Sequence, residues 1–177
     1  NVAKSYRAGI EISAVWQPLN WLKWQANATF SQNKIKNFTE YVDDWDTWGQ
    51  RNSLLGTTNI SFSPEIIAAS LFTVMPVKNF ELALQSKYVG KQYIDNSSSE
   101  DRKLDAYIVN NFTMRYTFKP KFVKEISLFF SVNNILDEKY EANAWIYSYY
   151  EGGERKASDG YFPQAGRNLM GGISLKL

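Results

Sequence analysis

The apolar residues of this chain return at every second position, a period that belongs to β-strands rather than helices. From Tyr6 to Trp16 the even positions are Tyr6, Ala8, Ile10, Ile12, Ala14 and Trp16, separated by Arg7, Gly9, Glu11, Ser13 and Val15. Gln17-Pro18-Leu19-Asn20 reads as a turn by its Pro and Asn. Beyond it Leu22, Trp24, Ala26, Ala28 and Phe30 alternate with Lys23, Gln25, Asn27, Thr29 and Ser31. The pattern returns from Phe80 to Tyr88, from Ile108 to Phe118 with an interruption at Asn110, from Ile126 to Asn133, and from Leu169 to Leu177. Only Ile66 to Met75 fails to alternate, and the sequence leaves its faces unassigned.

Strands of this length fit a membrane. A tilted strand needs about 9–11 residues to cross the hydrocarbon, whereas a helix needs about 20 apolar ones. The longest apolar candidate, Ile66 to Met75, is far shorter and carries Ser70 and Thr73, so a helical membrane protein is excluded. A barrel alternates lipid-facing and lumen-facing residues, which is compatible with the modest hydrophobic fraction of 44%.

Alternation alone also suits a soluble β-sandwich. Two features favour the barrel. Aromatic residues gather at strand ends, with Trp16, Trp21 and Trp24 around one turn and Tyr116, Phe118 and Phe122 around another, as in an interfacial girdle. The connections also alternate in length. Gln17–Asn20, Pro76–Asn79 and Lys119–Lys124 are short, while 36–65, 95–103 and 136–165 are long. Outer-membrane barrels pair short periplasmic turns with longer extracellular loops. Working back from Leu177 in the periplasm, strands near 166–177, 125–135, 105–118, 80–93, 66–75, 21–35 and 5–16 give an odd number of crossings. Single-chain bacterial barrels have even numbers, so further upstream strands are expected. Gly56–Phe62 is then expected to be strand extending above the membrane.

Cysteine and histidine are both absent, which removes disulfides, thiol nucleophiles, the commonest general base and the commonest metal ligand. No Gly-x-Ser-x-Gly element occurs and the carboxylate pairs lack a supporting constellation, so the segment is expected not to be an enzyme and to need no cofactor. A net charge of +2 with both signs scattered gives no nucleic-acid partner. The chain opens at Asn1-Val2-Ala3-Lys4 without a signal peptide, which a secreted barrel must be made with, and the expectation is a piece of something longer.

Four short elements carry a resemblance. Val132-Asn133-Asn134-Ile135-Leu136-Asp137-Glu138-Lys139-Tyr140 is similar to the N-N-L-F-D-x-x-Y strand end of TonB-dependent outer-membrane receptors. Tyr161-Phe162-Pro163-Gln164-Ala165-Gly166-Arg167-Asn168 resembles the P-G-R segment before that family's final strand, with an intervening Gln164 and Ala165. Tyr88-Val89-Gly90-Lys91-Gln92-Tyr93 resembles the Y-x-G-x-x-Y end of an upward strand, and Phe62-Ser63-Pro64 the S-P start of a downward one. The family's chain usually ends in an aromatic residue, and here Leu177 stands last. The resemblance implies an all-β fold, with residues 1–177 as about seven or eight strands at the C-terminal end of a 22-stranded transmembrane barrel in the Gram-negative outer membrane. It also implies an N-terminal plug, TonB as energy-coupling partner through that missing region, and the barrel-assembly machinery as partner. The cargo would be a scarce small molecule, siderophore-iron or a vitamin-like compound; lipid and lipopolysaccharide would surround the wall.

The long loops hold the candidate ligand contacts: Tyr41, Asp43, Asp44, Trp45 and Trp48 in the first, Trp145, Tyr147, Tyr149 and Tyr150 in the last. Aromatic rings offer large contact area at low ordering cost, and carboxylates add orientation. The plainer reading of the same rings is loop-on-loop packing or contact with lipopolysaccharide. Asp43, Asp44 and Asp46 are a weak match to a Ca²⁺ loop, since no Gly sits at the turn. The Asn-x-Ser/Thr sites at Asn27, Asn37, Asn59, Asn96 and Asn111 arise by chance from Asn- and Thr-rich strands. Arg7, Glu11, Lys23, Glu81, Lys87 and Arg115 fall on the lumen face. Two alternatives compete: a self-contained eight-stranded barrel used for structure or adhesion, and a soluble β-sandwich that binds carbohydrate on its aromatic loops.

Overall fold

The computed structural model describes residues 4–177; residues 1–3, most of the start that carries no signal peptide, lie outside the described residues. Its strands are β1 (Ser5–Leu19), β2 (Leu22–Asp44), β3 (Gly49–Asn59), β4 (Ile66–Val77), β5 (Phe80–Val89), β6 (Gln92–Tyr93), β7 (Lys103–Leu104), β8 (Tyr107–Phe118), β9 (Glu125–Asn133), β10 (Glu141–Glu151), β11 (Glu154–Pro163) and β12 (Asn168–Lys176). A wall of antiparallel neighbours runs β1-β2-β4-β5-β8-β9-β12. These are the crossings expected from the sequence, β4 being the one expected without alternation. Among the described residues β1 and β12 do not pair with each other, so the wall is not closed.

Register settles which residues share a face, because neighbours across antiparallel strands point the same way. Ile10 lies opposite Phe30, Phe30 opposite Ile66, and Trp16 opposite Trp24, which lies opposite Phe72. The same row continues through Leu84, Phe112 and Val132 to Leu169. The unassigned strand β4 therefore puts Ile66, Ala68, Ser70, Phe72 and Val74 on the apolar face. No second sheet covers that face among the described residues: Ile10 is 67% exposed and Ile173 70%. A soluble sandwich buries such a face; a membrane wall turns it to lipid.

The interruption at Asn110 has a local answer. The Ser86 hydroxyl donates to Asn110 Oδ1 at 2.6 Å, and two strands away Trp24 Nε1 donates to Ser70 Oγ at 2.9 Å. Ser70 and Ser86 are cross-strand partners. Polar groups on the lipid face thus line up and bond to one another, which lowers the cost of facing hydrocarbon.

Three boundaries differ from the sequence expectation. The turn expected at Gln17–Asn20 is only Asn20-Trp21, because a register shift between Trp16 and Leu19 absorbs Pro18 and keeps the strand going to Leu19. The long connection 36–65 is mostly strand: β2 continues to Asp44 and returns as β3, and this hairpin stands on the wall. The connection 136–165 is likewise a hairpin, β10–β11.

The four family-like elements meet in pairs. Phe62 N–H donates to the Tyr93 carbonyl at 2.9 Å, and Gly90 N–H to the Ile66 carbonyl at 2.8 Å. Gly90 sits so close to Ile66 that a Cβ there would lie 3.1 Å from the Ile66 carbonyl oxygen. At the other pair, Asn134 adopts a positive φ of 50° and its amide bonds the carbonyls of Glu138 and Ala165 at 2.9 and 3.2 Å. Asp137 Oδ1 accepts the Arg167 N–H at 2.7 Å, over Gly166 where any Cβ would press on that carboxylate. These elements clamp where the chain leaves the wall to where it returns.

Candidate functional site

Above the wall, three excursions assemble: the β2–β3 hairpin, the 90–106 segment carrying β6 and β7, and the β10–β11 hairpin. Backbone bonding begins the assembly. Near its tip β10 runs parallel to β2, pairing Tyr149 with Asp43 and Tyr150 with Asp44, and Trp45 N–H donates to the Tyr150 carbonyl at 2.9 Å. Side chains tighten it. Asp46 accepts the backbone N–H groups of Gly152 and Gly153, each at 2.8 Å, which fixes the β10–β11 turn and holds its carboxyl below the usual range. The Trp45 and Tyr149 rings stack at 3.9 Å, with Tyr147 alongside at 5.7 Å from Tyr149. Beneath them Ile94, Leu104 and Ala144 form a small buried cluster against Ile146.

An ion network holds the same three excursions by charge. Glu40 on β2 accepts two hydrogen bonds from Arg155 on β11 and one from Arg102 in the 90–106 segment. Arg102 also donates to Asp95 at 2.6 Å. The Arg155 guanidinium, assisted by Arg102 and opposed by burial, depresses the Glu40 carboxyl to about 2. A second pair lies nearer the tip: Arg51 Nε donates to Asp44 at 2.7 Å while its guanidinium lies 4.2 Å over the Tyr150 ring.

Between the excursions lies a cleft of ≈ 600 Å³, within the range of small-molecule sites. Hydroxyl, amide and charged groups line it, among them Asn37, Thr39, Asn96, Ser97, Tyr147 and Arg155. Ile35, Phe38, Val42 and Ile146 add apolar surface, so the lining suits a ligand with both polar and apolar faces.

The residues singled out in the sequence distribute unevenly over this assembly. Tyr41, Asp43 and Tyr147 line the cleft, and the Tyr147 hydroxyl donates to Asp43 at 2.8 Å. Asp44 is buried, and Trp45, Tyr149 and Tyr150 are engaged between loops. Trp48 is 92% exposed at the β2–β3 tip, at a φ of 55°. Trp145 lies against Gly160 across the β10–β11 hairpin, where a Cβ would collide with the indole. Asp43, Asp44 and Asp46 do not converge on a shared point; each is committed to a protein donor, and no cluster able to hold a metal ion occurs among the described residues.

Glu40, Asp95, Arg102 and Arg155 escaped the sequence reading. Their separations of 62 and 115 positions leave no local spacing to detect. Only the recurrence of charges of both signs in each long connection hinted at them.

Comparison with known proteins places this architecture. The family profile described as TonB dependent receptor-like, beta-barrel, matches residues 1–135. Among solved structures, the siderophore receptor PiuA from Acinetobacter baumannii superposes with a TM-score of 0.71 at 17% identity, over 96% of this chain and 21% of that one. The ferric yersiniabactin uptake receptor FyuA from Yersinia pestis gives 0.63 at 17% identity, over 94% and 22%. The ferric citrate transporter FecA in its unliganded form gives 0.63 at 21% identity, over 94% and 24%. This chain therefore spans about a fifth of the length of the structures it matches. No curated protein matches its sequence.

Proposed function

Since the chain belongs to the TonB-dependent receptor β-barrel family, an outer-membrane family of Gram-negative bacteria, we propose that it is one stretch of wall and three extracellular loops of a receptor that imports a scarce small molecule. Residues 1–177 then form the C-terminal barrel segment, with a plug and earlier strands elsewhere in the protein and TonB supplying the energy. The edges of β1 and β12, open among the described residues, support this, because an unpaired edge in hydrocarbon leaves backbone groups without partners. A self-contained barrel of this chain would need those two strands to pair.

The observation that carries the reading is the cleft walled by all three excursions. Siderophore-iron, a cargo suggested by the likeness to the siderophore receptor PiuA and the ferric yersiniabactin uptake receptor FyuA, fits its size and the hydroxyl and amide groups in its lining; a vitamin-like compound is the alternative cargo. Tyr41, Asp43 and Tyr147 are the ligand contacts we assign within the cleft, and Trp48 and Trp145 remain outside its lining.

The test is uptake of ⁵⁵Fe-labelled siderophores by cells that carry or lack the full-length protein, with and without TonB. Iron uptake lost in both deletions supports the reading. Uptake that is unchanged without the protein removes siderophore-iron as cargo, and growth rescue by vitamins then becomes the deciding assay.

A further inference from the structure

The short-turn rim carries a charge pattern unlike that of the loops. In the loops most cations have a carboxylate partner, as Arg102, Arg155, Arg51, Lys91 and Lys103 do. At the opposite rim Lys78 sits in the β4–β5 turn, and Lys121 and Lys124 in the β8–β9 turn, all exposed and without an ion pair among the described residues. The two turns are neighbours, since Thr117 N–H donates to the Asn79 carbonyl at 2.9 Å. The nearby carboxylates are Glu81 and Glu125, whose register places them on the lumen side, and Glu125 is already 4.0 Å from Lys119.

Apolar groups accompany these lysines. Phe122, between Lys121 and Lys124, is 80% exposed, and Val77, beside Lys78, is 62% exposed. Just above them on the lipid face lie Phe80 and Tyr116, packed edge to face, with Phe118 stacked on Tyr116. Aromatic rings at this height sit at the headgroup layer. Lysines beside them reach toward phosphates while their stems stay on apolar surface.

We propose that this rim is a binding surface for the anionic headgroups of phospholipids in the inner leaflet of the outer membrane, with Lys78, Lys121 and Lys124 as the phosphate contacts and Phe122 as an interfacial anchor. A phosphodiester headgroup with net negative charge complements three ammonium groups that have no ion pair among the described residues, beside aromatic rings of the kind that sit at the headgroup layer. A zwitterionic headgroup brings its own ammonium and gains less.

The experiment uses the full-length protein in detergent micelles doped equally with phosphatidylglycerol and phosphatidylethanolamine, with retained lipids counted by native mass spectrometry. Each lysine near an anionic surface is worth about fivefold, so three favour the anionic lipid on the order of a hundredfold. K78Q/K121Q/K124Q abolishes that preference, and K78R/K121R/K124R keeps it. K139Q/K156Q, on the loop side, leaves it unchanged. Resistance of the folded barrel to unfolding in cold SDS shows that each variant is intact. Equal retention of both lipids by the unmodified protein overturns the proposal. So does an anionic preference that survives the Gln substitutions, or one displaced equally well by soluble polyglutamate.

Discussion

Glu40 and Arg155 stand 115 positions apart, yet the carboxylate accepts hydrogen bonds of 2.8 and 2.7 Å from the two terminal nitrogens of that guanidinium. The same carboxylate takes Arg102 at 2.9 Å, so one side chain ties three loops. Its own side chain is only 12% exposed, which shields the pairs from solvent. E40Q keeps the size and removes the charge, and a lost charge-assisted bond of this kind costs about 1.5–3 kcal/mol. Amide hydrogen exchange in the full-length protein is expected to speed up at least tenfold at 94–103 and 154–157. Exchange in β5 stays as it was. Unchanged protection in both loops would show that backbone pairing alone holds the assembly.

The network also sets an acid limit. The Glu40 carboxyl lies at about 2 when the loops are closed, against an ordinary value of 4.5 when they open. The open state therefore binds the proton more readily, and the contribution of Glu40 is complete above about pH 5. It is lost as pH falls through 4.5 toward 2. Hydrogen exchange of the loop amides, corrected for intrinsic rate, is expected to be flat from pH 8 to 5 and to rise below 4.5. A rise already at pH 6 would assign the lock to some other group.

Asp46 offers a sharper local test, because its two oxygens hold two specific amides. D46A leaves the N–H groups of Gly152 and Gly153 to water and is expected to cost the hairpin tip about 1 kcal/mol. Exchange at those glycines should accelerate severalfold with little change at Trp145. If Trp45 still stacks on Tyr149, its fluorescence stays unchanged in the same variant, which separates the turn from the aromatic stack.

Trp145 and Gly160 are cross-strand partners, and the indole occupies the space of the missing side chain. G160V forces the ring away and is expected to destabilise the β10–β11 hairpin by about 1–3 kcal/mol. The readout is a red shift of Trp145 emission, isolated in a background where the other tryptophans are replaced by Phe. An unshifted spectrum would mean that the strands separate instead of the ring moving.

Leu84 and Gln85 are adjacent in β5 and face opposite sides of the wall. Placing Arg on the lipid face near mid-depth costs about 2–4 kcal/mol, and far less on the lumen face. L84R in the full-length barrel should therefore lower refolding stability in phosphatidylcholine vesicles by that amount, while Q85R stays near the unmodified protein. Equal effects would contradict the assigned facing.

The sequence by itself determined the wall. A side-chain period of two needs no long-range information, so the crossings, their facing, the sidedness of turns and loops, and the girdle could be read from residues such as Ile10, Trp16, Phe112 and Ile173. β4 was the exception, since Ile67 and Leu71 keep its lumen side apolar and only pairing with β2 and β5 fixes the facing. The family-like elements were legible as strings, but not that Asn134 and Asp137 clamp Ala165 and Arg167, or that Phe62 bonds Tyr93. The loops were read least well. Their strands continue past the membrane with irregular registers around Asn37, and their ion network joins residues dozens of positions apart. Periodicity reports local backbone geometry, whereas a salt bridge depends on where two distant loops are brought together. Only the tertiary structure could set Glu40 between Arg102 and Arg155 and open a cleft beside them.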